Sequence, residues 1–140
     1  MAPDSRALTP LEIAALNEAL DDEFRAWATY DQVVRDFGDV RPFINIRDAE
    51  ARHIGALTAL FARYGEPMPA NPWLGKVPHF ASMHDACAAG VTAEIENAAL
   101  YERLLASTSR PDILAVFRKL QYASQERHLP AFRRCAERRG

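Results

Sequence analysis

Apolar residues recur at alternating steps of three and four along four stretches of the chain, the repeat of a helix face turned toward a core. The first row is Leu16, Leu20, Glu23, Trp27, Tyr30, Val34 and Phe37, and the second is Phe43, Ile46, Glu50, His53, Leu57, Leu60 and Tyr64. Met83, Cys87, Gly90, Glu94, Asn97, Tyr101 and Leu104 form the third. Leu114, Phe117, Gln121, Ser124, His128, Ala131 and Cys135 form the fourth. No stretch alternates with the two-residue period of a half-buried strand, so the pattern predicts an all-α protein.

Start and stop signals bound these stretches. Thr9-Pro10-Leu11-Glu12 offers an N-cap hydroxyl, a proline at the first helical position and an acid in the first turn. Gly38-Asp39 stops that helix, Pro42 opens the next, and Gly65 closes it. Ser109-Arg110-Pro111-Asp112 repeats the start signal before the last helix. The expectation is one domain over residues 1–140, with helices at about 10–37, 42–64, 82–107 and 110–138. Residues 65–81 hold four prolines and two glycines and cannot form a regular helix. Extended, they reach ~55 Å, enough to run the length of a bundle. One long crossover between helices two and three of a four-helix bundle follows, with helix three starting parallel to helix two.

The inward rows are interrupted near mid-helix by Glu23, Glu50, His53, Glu94 and His128. Burying so many ionisable groups is costly unless they are paired or bind a cation. Glu50-x-x-His53 places both side chains on one face, one turn apart. Carboxylate with imidazole suits iron, manganese or zinc. The halves echo each other, since Tyr30 follows Glu23 by seven and Tyr101 follows Glu94 by seven. This reads as a weak internal duplication around a two-metal centre.

In this order the residues resemble the ferritin-like di-iron carboxylate superfamily, most closely a small ferritin-like family of unknown function. The matching segments are Asp22–Ala26 through Tyr30, Asp48–His53 through Tyr64-Gly65, Gly90–Glu94, and His128–Phe132. The resemblance implies a ferritin-like bundle and two iron ions, with manganese or zinc as alternatives. It implies Glu23, Glu50, His53, Glu94 and His128 as ligands, Glu50 bridging, and Tyr30, Tyr101 and Asn97 as supporting side chains. The implied activity is oxidation of Fe(II) by dioxygen or peroxide, of ferroxidase, peroxidase or oxygenase type, with an external electron donor. Non-catalytic metal binding and an inert helical module remain as alternatives. Gln125 stands where the superfamily has the second Glu-x-x-His glutamate, and Asn97 where a further acid is common. Pro130 could introduce a kink or π-bulge that turns Glu126 toward the metal. Gln125 and Glu126 are therefore additional ligand candidates.

The remaining expectations come from composition and single residues. A formal charge of −2 on 140 residues offers no global field for nucleic acid. Arg133, Arg134, Arg138 and Arg139 form only a short basic end. No stretch has the ~20 apolar residues of a spanning helix. The first dozen residues lack an apolar core of signal-peptide length. A cytoplasmic protein is expected, with Cys87 and Cys135 in one layer, where a disulfide is geometrically possible and two buried thiols are favoured. His79 and His84 are expected at the surface, Trp27 sealing the site, and Trp73 pinning the proline-rich link. Phe61 and Leu100 are expected to face outward and support a homodimer rather than a storage shell.

Overall fold

The computed structural model describes residues 6–138; the first five residues, Arg139 and Gly140 lie outside them. Helices α1 (Pro10–Phe37), α2 (Phe43–Arg63) and α3 (Met83–Leu104) are continuous. The fourth rod has three parts: α4 (Pro111–Ala123), a π-helical turn (Ser124–His128) and α5 (Leu129–Glu137). Residues Leu105–Ser107 form a 3-10 turn, so the third helix stops three residues earlier than the sequence suggests. No strand occurs among the described residues.

Local chemistry accounts for the boundaries. Thr9 and Glu12 form a reciprocal capping box, each side chain accepting from the other's backbone N–H (3.1 and 2.9 Å). Ser82 caps α3 by accepting from the Asp85 N–H at 3.1 Å. Gly65 adopts φ 67°, which puts its N–H on Ala62 O and that of Glu66 on Phe61 O (3.2 and 2.9 Å). That Schellman geometry needs a left-handed residue and ends α2.

The π-turn has a cause in the sequence. Pro130 has no N–H for the Glu126 carbonyl and its ring crowds that carbonyl. Widening the turn by one residue relieves both, and Leu129 N–H accordingly bonds Ser124 O.

On every rod the ionisable residues sit between two apolar halves. One half gathers Leu16, Leu20, Leu57, Phe61, Tyr101, Ile113 and Phe117. The other gathers Tyr30, Val33, Phe43, Ile46, Phe132 and the two cysteines. Phe61 is buried at 1% exposure, contrary to the outward position expected for it. The stripe is wide enough for Leu57, Leu60 and Phe61 to share one face. Leu100 is half-buried and packs on the same cluster, so neither residue supplies an exposed apolar face for pairing.

Cys87 and Cys135 form a disulfide with Cα atoms 5.7 Å apart, which corrects the expectation of two thiols. Gly90 explains the close approach of α3 and α5. A Cβ there would lie 2.7 Å from the Phe132 ring, so only glycine lets that ring lie against the helix.

The link between α2 and α3 is tied to α1 along its length. Asn71 Nδ2 donates to Phe24 O (3.3 Å), and Trp73 Nε1 donates to Asp21 (3.0 Å). The Arg25 guanidinium lies over the Trp73 ring at 5.7 Å. His79 pairs with Asp36 at 2.7 Å, near the far end of α1. Trp73 thus pins the link as expected, and His79 and His84 are exposed.

Candidate metal centre

Helix periodicity delivers Glu23 from α1, Glu50 and His53 from α2, Glu94 from α3 and His128 from the fourth rod to the polar layer. Glu23, Glu50, Glu94 and His128 are at most 5% exposed, and the His53 side chain is 12% exposed. His53 Nδ1 lies 3.1 Å from Glu23 Oε1 and 3.1 Å from Glu50 Oε1. His128 Nδ1 lies 3.0 Å from Glu94 Oε1 and 3.4 Å from Glu50 Oε1. Glu50 therefore stands between two histidines, each with its own outer glutamate. The imidazole rings stack, with centroids 5.5 Å apart and planes 18° apart. Ligand-type atoms of Glu50, His53 and His128 all lie within 4.8 Å of one another, a spacing that one cation can span.

A surrounding set of hydrogen bonds holds the carboxylates. Tyr30 donates its hydroxyl to Glu94 Oε2 at 2.6 Å. Asn97 Nδ2 donates to Glu23 Oε2 at 3.2 Å and to Asp22 Oδ2 at 2.7 Å. Ser124 Oγ is 2.9 Å from Glu94 Oε1 and 3.0 Å from the Glu94 carbonyl. Such supporting bonds orient metal-binding side chains.

The electrostatics are those of acids crowded in a dry space. Burial pushes the carboxyls of Glu23 and Glu50 up, Glu50 well above the usual range, and neighbouring carboxylates add to the effect. Burial alone would lower the His53 imidazole, yet hydrogen bonds to Glu23 and Glu50 and their charges raise it to about 10. Burial and the neighbouring carboxylates also raise the Tyr30 and Tyr101 phenols well above 10. Both therefore stay protonated donors. The cluster thus retains protons where positive charge is needed, and a bound cation would answer the same need.

Tyr101 differs from Tyr30. Its hydroxyl is buried within the field of these carboxylates and meets no hydrogen-bonding partner among the described residues. An orphaned donor beside an acid cluster suits a site that holds a further group.

The five core ligand candidates come together, and so do Tyr30 and Asn97. Gln125 and Glu126 do not: both are exposed on the π-turn. The π-turn exists, but it carries Ser124 rather than Glu126 inward, because Ser124 precedes His128 on the buried side of the widened turn. Trp27 is half-buried, one turn beyond Glu23 on α1. Two supporting residues were not singled out from the sequence, Asp22 and Ser124. Asp22 directly precedes Glu23, and Ser124 already lay on the inward row, but neither residue type signals a metal by itself.

Two openings reach this layer. One, between α1 and α3, is lined by Asp22, Glu94 and Glu96, with Arg25 bound to Asp22 at 2.7 Å. The other lies between α2 and the fourth rod and is lined by His53 and His128.

No protein-family model matches the chain, and no curated protein matches it. Among solved structures, it is similar to a hypothetical protein, MJ0754, from Methanococcus jannaschii. That match has a TM-score of 0.82 at 24% identity and covers 97% of this chain and 85% of the other. At that identity the likeness speaks to the fold. No described helix is long and apolar enough to cross a membrane.

Proposed function

We propose that the chain is a ferritin-like protein whose polar layer binds two divalent metal ions, iron foremost, and oxidises Fe(II) with dioxygen or peroxide. The observation that carries this reading is Glu50 placed between His53 and His128, with Glu23 and Glu94 as the outer acids. Glu23 and His53 would hold one ion, Glu94 and His128 the other, and Glu50 both. Iron so bound supplies the Lewis acidity and the electrons that dioxygen reduction requires. The protein's own part is positional. Tyr30 and Asn97 fix the outer glutamates, and the apolar halves of the core close the layer off along the bundle axis, above and below it. The path of the α2–α3 link, from Phe24 toward Asp36 along α1, supports the single long crossover of a ferritin-like bundle. Tyr101 leaves a buried hydroxyl without a partner in the field of the same carboxylates.

A second reading, metal binding without turnover, is favoured by one observation. The fourth rod contributes Ser124 rather than an acid, which leaves three carboxylates against the charge of two divalent ions. Anaerobic titration with Fe(II), followed by admission of oxygen, separates the two. Two ions per chain with prompt oxidation supports the enzyme, and tight binding without oxidation supports sequestration. Failure of the wild-type protein to bind Fe(II), Mn(II) or Zn(II) would remove both.

A further inference from the structure

The opening between α2 and the fourth rod is more than a passage to the histidines. It encloses about 560 Å³, within the range of pockets that take small organic ligands. Ile46, Ala49 and Leu120 give it an apolar lining. Its charged members, apart from the two histidines, are all cations: Arg41, Arg52, Lys119 and Arg127. These four are exposed, and no carboxylate pairs with any of them among the described residues. Arg127 instead lies over the Tyr122 ring at 6.0 Å.

The same pairing of cation and imidazole occurs on both rods that line the cleft. Arg52 directly precedes His53, and Arg127 directly precedes His128. On a helix the preceding residue is turned by ~100°. Each inward histidine is thus accompanied by an outward cation at the mouth. The opposite opening carries the opposite sign, with three acids and one arginine that is already paired. Cations are attracted to the α1–α3 side and anions to the α2 side.

We propose that this cleft binds a small organic carboxylate with an apolar body, its head held by Arg52 and Arg127 and its body lying on Ile46, Ala49 and Leu120. The guanidinium fork suits a carboxylate, and the apolar lining suits a short alkyl or aryl body. The bound acid sits against the outer edge of His53 and His128, next to the proposed metal layer. Its role as a substrate rests on the metal-centre reading, whereas its binding does not.

Isothermal titration of chelator-treated protein with octanoate tests the proposal, using octanamide as the neutral match and inorganic phosphate as a head without a body. Octanoate is expected to bind once per chain, at least about tenfold more tightly than either control. The double variant R52A/R127A should lose about tenfold or more for octanoate and leave octanamide unchanged. R133A, exposed outside the cleft, should change nothing. E50A should abolish Fe(II) binding yet retain octanoate. Equal affinity for octanoate and octanamide, indifference to R52A/R127A, or no octanoate binding would each overturn the proposal. Octanoate binding without any metal binding by the wild type would uphold the pocket and sink the metal centre instead.

Discussion

Replacing Glu12 with glutamine should destabilise the protein strongly at neutral pH and much less in acid. Glu12 ties the start of α1 to the start of α4. It accepts from Arg110 Nε at 2.9 Å and from the Thr108 hydroxyl, while Arg110 also donates to the carbonyls of Arg6 and Ala7 (2.9 and 2.8 Å). Glu12 and Arg110 are 6% and 7% exposed. Burial by itself would raise the Glu12 carboxyl, but the bonds from Thr108, the Thr9 N–H and Arg110 outweigh it and lower the pKa from 4.5 to about 2. At 1.36 kcal/mol per unit, that difference is worth about 3 kcal/mol. Because the folded value is the lower one, this stability is complete above the unfolded pKa and fades as pH falls toward 2. Glutamine mimics the protonated acid and can keep the capping bond to the Thr9 N–H, so the comparison isolates the charge. Urea unfolding of wild type and E12Q at several pH values should show a gap of about 3 kcal/mol at pH 7. The gap should shrink to about 1 kcal/mol near pH 2.5. The raised carboxyls of Glu23 and Glu50 are present in both proteins and cancel. A gap below about 1 kcal/mol at pH 7, or one that does not narrow in acid, would refute the reasoning.

Three further outcomes follow from the packing and the site. Gly90→Ala should destabilise by about 1–3 kcal/mol in thermal melts despite alanine's better helix propensity. The new methyl would meet the Phe132 ring at 2.7 Å, and that ring is already wedged against Tyr30 and Phe43. Reducing the disulfide, which spans 48 residues of sequence, should lower stability by about 4 kcal/mol on loop entropy, read as the difference in urea midpoint with and without reductant. Glu50→Ala should remove metal binding, measured by metal analysis after dialysis, whereas Glu126→Ala should not, since Glu126 is exposed.

Periodicity alone was enough to place most of the buried layer. Steps of three and four put Glu23, Glu50, His53, Glu94 and His128 on the inner stripes, and the structure brings all five together, because a regular helix turns its residues by a constant angle. The same rule failed where regularity failed. Pro130 is a visible source of disturbance, and the steps of three and four already put Ser124 inward, but whether the widened turn would also bring Gln125 or Glu126 to the layer is settled by packing against α3, which leaves both exposed. Phe61 is buried rather than outward for a related reason: the width of a buried stripe depends on how closely the neighbouring helices approach. The cysteine pairing likewise depended on distance. Seven-residue offsets from Glu94 and His128 put both cysteines in one layer, but the 5.7 Å between their Cα atoms needs the close approach of α3 and α5 that Gly90 permits against Phe132. The acid-lined and base-lined openings belong wholly to the tertiary structure, since Arg41 before α2, Arg52 on α2, and Lys119 and Arg127 on the fourth rod share a surface only once those elements pack. Rotation about one helix axis is written into local order, whereas separation between axes is set by every side chain that must fit between them.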